Sequence, residues 1–287
     1  MNAGMILTSL VDGLLIGVVY GIAAMGLNLI WGVMRVINLA HGALISLGMF
    51  GVYLLFSGLG LNPYLSLIVV ALLGLLMGVL IYVIAIQRVI NAPYLSTLLA
   101  TFAINMIIIG LGTAAFTTTP RDSGFSLGNI ELGPLTLQGT RLVAALVTLT
   151  VTAILYIFLY RTRTGKYIRA VSNNRAAAEL MGIPSARILA LSFGIGTMLA
   201  AIAGGLIATF FSFTILSGDL YQQKSFIIGV LGGLGNPLGA LVGGLILGVL
   251  EGVLPLTMPN TWVPVIEFVL FILILLVKPS GLLGGKK

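Results

Sequence analysis

Residues 67–86 read LIVVALLGLLMGVLIYVIAI, twenty positions with no charge, no proline and no alternation of polarity. An α-helix needs about 20 mostly apolar residues to cross a bilayer core, whereas a barrel strand needs only about 10 and alternates. Comparable runs cover roughly 5–30, 39–57, 64–86, 94–115, 142–160, 190–214 and 262–278. Hydrophobic residues make up 59% of the 287 positions and charged residues only 7%, against about 25% in a soluble domain. With 14 basic and 7 acidic side chains, a soluble fold of this size has too little charge to cover its surface. The chain is therefore an integral membrane protein of the all-α class, a polytopic transmembrane helical bundle. Residues 1–287 are expected to form one transmembrane domain. The first apolar run starts near Met5, lacks a basic flank and outlasts a signal-peptide core, so no cleavable leader is expected.

Basic residues collect in short cytoplasmic loops. The loop 161–189 carries Arg161, Arg163, Lys166, Arg169, Arg175 and Arg187 against Glu179 alone, which assigns it to the cytoplasm. Counting backward puts Arg88 and Arg35 inside and the N-terminus outside. The uncharged loop 58–62 and the mixed loop 116–141 then fall outside. Counting forward meets an obstacle at 225–253, which is interrupted by GGLGNPLG, the stretch holding Gly232, Gly233, Gly235, Asn236 and Pro237. One uninterrupted helix there would leave Lys278, Lys286 and Lys287 outside. Two short helical pieces that enter and return on the same side resolve the conflict, because irregular backbone at membrane depth is tolerated where protein or water covers it. The expectation is seven full spans plus a re-entrant hairpin with the C-terminus inside; eight full spans are the alternative.

Several chemistries are excluded. The chain has no cysteine and a single histidine, His41, which removes disulfides, thiolate chemistry and protein-built zinc, haem-thiolate or iron–sulfur sites. Neither a G-x-x-x-x-G-K-[ST] loop nor a G-x-G-x-x-G turn occurs, so ATP and dinucleotides are not bound in the usual ways. A Ser–His–acid triad would have to use His41, and no nucleophile elbow accompanies it. The chain is thus expected to be no enzyme and to bind no cofactor. Asp12, Glu251 and Glu267 fall near outer ends of their segments, which speaks against an ion-coupled carrier. The net charge of +7 lies mostly in loops and reads as membrane topology, not as nucleic-acid binding.

Glycines recur every four residues at Gly13, Gly17 and Gly21; Gly74 and Gly78; Gly235, Gly239 and Gly243; and Gly244, Gly248 and Gly252. Such faces let helix backbones approach closely where lipid offers no hydrophobic drive for association. They imply a tightly packed bundle; tight packing and sliding interfaces both use them.

The loop GKYIRAVSNNRAAAELMGIPSARILALSF, 165–193, does more than fix topology. Asn173 and Asn174 can cap a helix start, RAAAELM is a good short helix, Gly182 can end it, and Pro184 stops its continuation. A short helix embedded in positive charge therefore lies between two spans. This segment resembles the cytoplasmic coupling loop of ABC-importer permeases, E-A-A-x-x-x-G, aligned as Ala176-Ala177-Ala178-x-x-x-Gly182 with Ala in place of the leading Glu. The fuller string IRAVSNNRAAAELMGI resembles the branched-chain amino acid permeases, as do VINLAHGALISLGMF, their LivH-type signature, and VLGGLGNPLGALVGGLILGVLE. The resemblance covers essentially the whole chain in the right order. It implies a permease that pairs with a second, LivM-like permease in a bacterial inner membrane. It also implies two cytoplasmic ATPases, LivG- and LivF-like, which use ATP and Mg, and an extracytoplasmic amino-acid-binding protein. Membrane lipid surrounds the bundle. On this basis Arg169, Asn173, Arg175, Glu179, Met181 and Gly182 are the candidates for contact with an ATPase.

The stretch 33–50 concentrates Arg35, Asn38 and His41 amid apolar sequence. Arg35 falls where a long side chain can reach the interface. Asn38 and His41 share a helical face, and two roles fit them. Asn38 caps the helix and His41 holds two spans together through a neighbouring carbonyl, or both line a substrate path. Thr97, Thr101 and Asn105 form a second polar stripe, which serves either a path or interhelical bonding. The reading as a whole is the permease subunit of an ATP-driven importer for Leu, Ile, Val or other hydrophobic amino acids. Urea or short-amide importers with the same machinery, an ion-coupled secondary carrier and an intramembrane enzyme are the rivals.

Overall fold

The computed structural model describes residues 3–284 except 134; Lys286 and Lys287 lie outside the described residues. The first helix, α1 (Ala3–Met34), is followed by α2 (His41–Leu59) and α3 (Pro63–Ile81). A π-helical stretch, Tyr82–Ile86, carries α3 into a last turn, α4 (Gln87–Val89). Next come α5 (Tyr94–Phe116) and a two-stranded antiparallel hairpin, β1 (Asn129–Leu132) with β2 (Leu135–Gln138), paired Asn129 to Gln138. The basic segment follows as α6 (Gly139–Arg161), α7 (Arg163–Asn173) and α8 (Arg175–Leu180). The chain closes with α9 (Ser185–Ile207), α10 (Ser217–Gly232), α11 (Pro237–Val253) and α12 (Val263–Val277).

Eight of these helical segments are long and apolar enough to cross a bilayer among the described residues. The expected break at the Gly/Pro stretch is present, and its pieces are α10 and α11. Gly233 (φ 104°) and Gly235 (φ 85°) turn the chain in left-handed geometry that side chains resist. The Asn236 side chain then accepts from the Leu238 and Gly239 amides at 3.1 and 3.3 Å, capping α11 behind Pro237 at its first turn. The extent of the pair corrects the expectation of a short hairpin over 225–253. α10 begins at Ser217, and Pro237–Leu256 is itself long enough to span. The count of eight given as the alternative is reached with Pro237–Leu256 among the eight segments and without α10. α10 adds 16 residues, about 24 Å of helix.

The glycine faces meet one another. A Cβ on Gly13, Gly17, Gly248 or Gly252 would collide with the facing backbone of α11 or α1. Gly74 and Gly78 of α3 press on Thr197 and Ala201 of α9 in the same way. Helix α1 lies at the centre against α9, α10 and α11, and its buried side chains include Ile22, Met25 and Ile30.

The basic loop, the Gly/Pro turn and the tail share one end of the bundle. Ser172 Oγ donates to the Gly32 carbonyl at 2.6 Å, and Asn28 Nδ2 to the Asn236 carbonyl at 3.2 Å. The Leu282 amide donates to the Leu231 carbonyl at 2.8 Å. At the opposite end Arg141 pairs with Asp12 at 3.0 Å, and Arg121 and Phe213 exchange backbone bonds of 2.8 and 2.9 Å.

Candidate functional site

At the basic end, the Thr162 hydroxyl accepts from the Gly165 amide at 3.0 Å and starts α7. Ile168 and Val171 of α7 are buried against the bundle, while Lys166 and Tyr167 stay outside. Asn174, and not Asn173, caps the next helix: its Oδ1 accepts from the Ala177 amide at 3.0 Å. Asn173 is the exposed last residue of α7. Helix α8 ends in a Schellman closure, with the Ile183 amide bonded to the Ala178 carbonyl at 3.0 Å and the Gly182 amide to Glu179 at 2.9 Å. Gly182 adopts φ 79°, as that closure requires.

This capped turn projects an apolar tip. Leu180 is 89% and Met181 82% exposed. Arg175 stands beside the tip, its Nε 3.0 Å from Glu179 and its Nη1 3.3 Å from Asn91 Oδ1. Arg169 is turned away from it. Its Nε donates to the Leu159 carbonyl at 3.2 Å, and its guanidinium lies 4.5 Å from the Tyr160 ring centre. Of the six residues named from sequence, Asn173, Arg175, Glu179, Met181 and Gly182 thus cluster around α8, whereas Arg169 folds back on the bundle. Leu180 was missed, although a leucine beside Met181 on a turn too short to bury either was a legible signal.

A second group of polar side chains is buried inside the bundle. His41 Nε2 donates to the Ala23 carbonyl at 2.8 Å and ties α2 to α1. Asn38 Oδ1 accepts from the Ala40 amide at 3.1 Å, an Asx turn that precedes α2 instead of a cap on it. Thr97 donates to Tyr94 at 2.8 Å; Thr101 donates to Leu98 at 3.0 Å and across to Ile37 at 3.2 Å. The stripe of α5 therefore meets the linker that holds Asn38, and Asn105 continues it inward. Asn38 Nδ2, His41 Nδ1 and Asn105 Oδ1 are buried without a hydrogen-bond partner among the described residues. Nearby, between α2, α3 and α9, an apolar cavity of about 200 Å³ is lined by Leu44, Gly48, Met77, Thr197 and others.

Sequence reading also missed one charged group at depth. Lys224, midway along α10, forms an ion pair with Glu251 and lies 3.4 Å from the Tyr20 hydroxyl. Glu267 of α12 is 3% exposed, and its Oε1 has no hydrogen-bond partner among the described residues.

A sequence-family profile described as "Branched-chain amino acid transport system / permease component" matches residues 9–275. The chain belongs to this family. As a branched-chain amino acid transport permease it is a membrane component of a transport system and not itself a catalyst. It is 30% identical to the high-affinity branched-chain amino acid transport permease protein LivH of Salmonella typhimurium, across 97% of this chain and 95% of the relative. It is equally similar, with the same coverage, to BraD of Pseudomonas aeruginosa, which bears the same description. The fructose import permease protein FruG of Bifidobacterium longum is 27% identical over 88% of this chain and 77% of its own. A solved structure of PsaBC from Streptococcus pneumoniae in complex with Fab shares the fold, with a TM-score of 0.50, 15% identity and coverage of 94% and 91%.

Proposed function

We propose that this permease carries branched-chain or other aliphatic amino acids inward across a bacterial inner membrane, driven by ATPase subunits that dock on the α8 tip. The observation that carries the reading is the tip itself. Leu180 and Met181 are adjacent apolar side chains almost wholly exposed at the basic end, on a turn fixed by Asn174 and Gly182. An apolar knob held rigidly amid positive charge suits a socket on another protein better than it suits water. Arg175 and Glu179, exposed and already paired, supply the polar rim; Met181 supplies an adaptable contact. The positive-inside rule turns this end toward the cytoplasm, with the N-terminus outside and the tail inside. A second, related permease and an extracytoplasmic binding protein complete the assembly, and ATP with Mg is consumed by the partners.

The buried polar stripe is assigned to the substrate path. Asn38 and Asn105 each keep an unpaired polar atom, which a zwitterion's carboxylate or ammonium would satisfy as it passes. The aliphatic side chain would travel against apolar walls. Because a relative is named for fructose import, the uptake assay should include a hexose beside leucine and valine. The test is purification in mild detergent followed by ATPase and uptake measurements on the retained complex. Leu180→Ser with Met181→Ser should leave the permease folded and inserted while uptake falls about tenfold or more, the loss of one interface anchor of ~1–2 kcal/mol. Unchanged uptake, or a chain that moves leucine with no nucleotide-hydrolysing partner, would overturn the proposal.

A further inference from the structure

The basic end also carries a lateral cleft of about 150 Å³ between α1, α6, α7 and the Gly/Pro turn. Its depth is apolar, with Met25, Leu29 and Leu155 among its walls, and Arg169 stands at its polar rim beside Ser172 and Asn236. Ser172 and Asn236 already donate to backbone carbonyls of Gly32 and Leu283. Arg169 spends only Nε on the protein, and its two terminal nitrogens make no protein hydrogen bond among the described residues. The helix surfaces beside the cleft are apolar and exposed: Ile157 and Tyr160 on α6, Leu238 and Val242 on α11. The cleft therefore opens sideways, toward the bilayer, at the level where apolar helix gives way to basic loop.

From this geometry we infer a binding site for an anionic phospholipid, its phosphate on Arg169 and one acyl chain lying between α1 and α6. Charge complementarity selects the headgroup. Arg161, Arg163 and Lys166 lie within eight residues of Arg169 in the chain, and no acidic residue occurs between Glu131 and Glu179. Basic clusters at a helix–water boundary attract anionic lipid in this way. The same lack of acid favours a ligand with net negative charge over a zwitterion. The aliphatic depth argues for a lipid over a free phosphate, which would leave that part of the cleft empty. Arg169 thus takes a role apart from ATPase contact. The bound lipid touches α1, α7 and the Gly/Pro turn at once, so it staples the segment that bears α8 to the bundle. The inference does not depend on which substrate is moved.

Native mass spectrometry of the full chain, with whatever subunits it retains, tests the site directly. The protein is purified, exchanged into mild detergent and titrated with phosphatidylglycerol or phosphatidylcholine. Wild type and Arg163→Gln should both prefer phosphatidylglycerol, whereas Arg169→Gln should bind it about fivefold more weakly, the effect of one basic group at a membrane surface. Leu155→Trp, which fills the depth and keeps the charge, should weaken binding of either lipid, provided it elutes as a monodisperse peak; Thr152→Leu serves the same purpose should it not. Three results would overturn the inference: equal phosphatidylglycerol binding by Arg169→Gln, full displacement of the lipid by inorganic phosphate, and a cleft found filled by another subunit.

Discussion

Helices α1 and α5 are almost equally hydrophobic, yet 89% of the most apolar window of α1 is buried inside the bundle and only 17% of that of α5. The same contrast separates α9, at 83%, from α12, at 11%. Hydropathy therefore reports that a helix belongs in a bilayer, not what it touches there. Small residues set against another helix's backbone make the distinction, whereas Gly110 of α5 faces nothing within 4 Å. Helix α9 reads GIGTMLAAIAGG over 194–205, and α1 brings Gly13, Gly17 and Gly21 against α11, whereas α12 contains no glycine. With lipid as apolar as leucine, close backbone approach decides which helices form the interior. The outer helices present Leu72, Leu76, Leu111 and Leu276 to lipid or to a partner subunit.

The largest effect that would break this contrast is expected at Lys224. Lys224→Met leaves the part-buried Glu251 without its cation and should destabilise the bundle by ~3–5 kcal/mol, seen as loss of a monodisperse detergent peak on heating. Adding Glu251→Gln should recover part of that loss; no recovery would mean that the pair is not the source of the cost. Next comes Gly248→Leu, which drives a side chain into the backbone of Gly13 and Gly17. It should cost ~1–3 kcal/mol or more by overpacking, read as a lowered melting midpoint. The smallest effect sharpens the contrast. Leu76→Ala on the outer face of α3 should shift the midpoint of the isolated chain by no more than ~0.5 kcal/mol. A larger loss seen only in the assembled complex would reveal that another subunit covers that face.

Much of this architecture is legible in the sequence. The bilayer, the apolar segments, the break at Gly233–Pro237, the Asn174 cap and the Gly182 stop all rest on local rules acting within a few residues. What escaped depends on partners distant in sequence. The first half of α10, SGDLYQQK, looks too polar for a membrane helix because its partners are elsewhere. Gln222 accepts from the Gly42 amide at 2.9 Å, the Gly218 amide donates to Ser46 at 2.8 Å, and Lys224 meets Glu251. Polarity in lipid is costly only while unpaired, and pairing across 172 or 180 positions leaves no local signature. The candidate site divides the same way. A bond to a neighbouring carbonyl was one of two readings open for His41, and the identity of that carbonyl, Ala23, emerges only in three dimensions. Likewise Arg169 was grouped with its loop neighbours because nothing in the string IRAVSNN indicates that it folds back over Tyr160.

The backbone bonds from Leu282 and Leu283 to Leu231 and Gly232 bear on the order of assembly during synthesis. The terminal carbonyls of α10 belong to the buried residues Leu231 and Gly232 and have no partner within the helix, and the segment that satisfies them leaves the ribosome some 50 residues after the turn itself, about the separation of 47 between Asn236 and Leu283. Until that late stretch emerges, the α10–α11 turn keeps those two acceptors open and is held to the bundle through Asn28 of α1. A nascent chain stalled just after α12 would hold every helix of the bundle while the last carbonyls of α10 still waited for their donors.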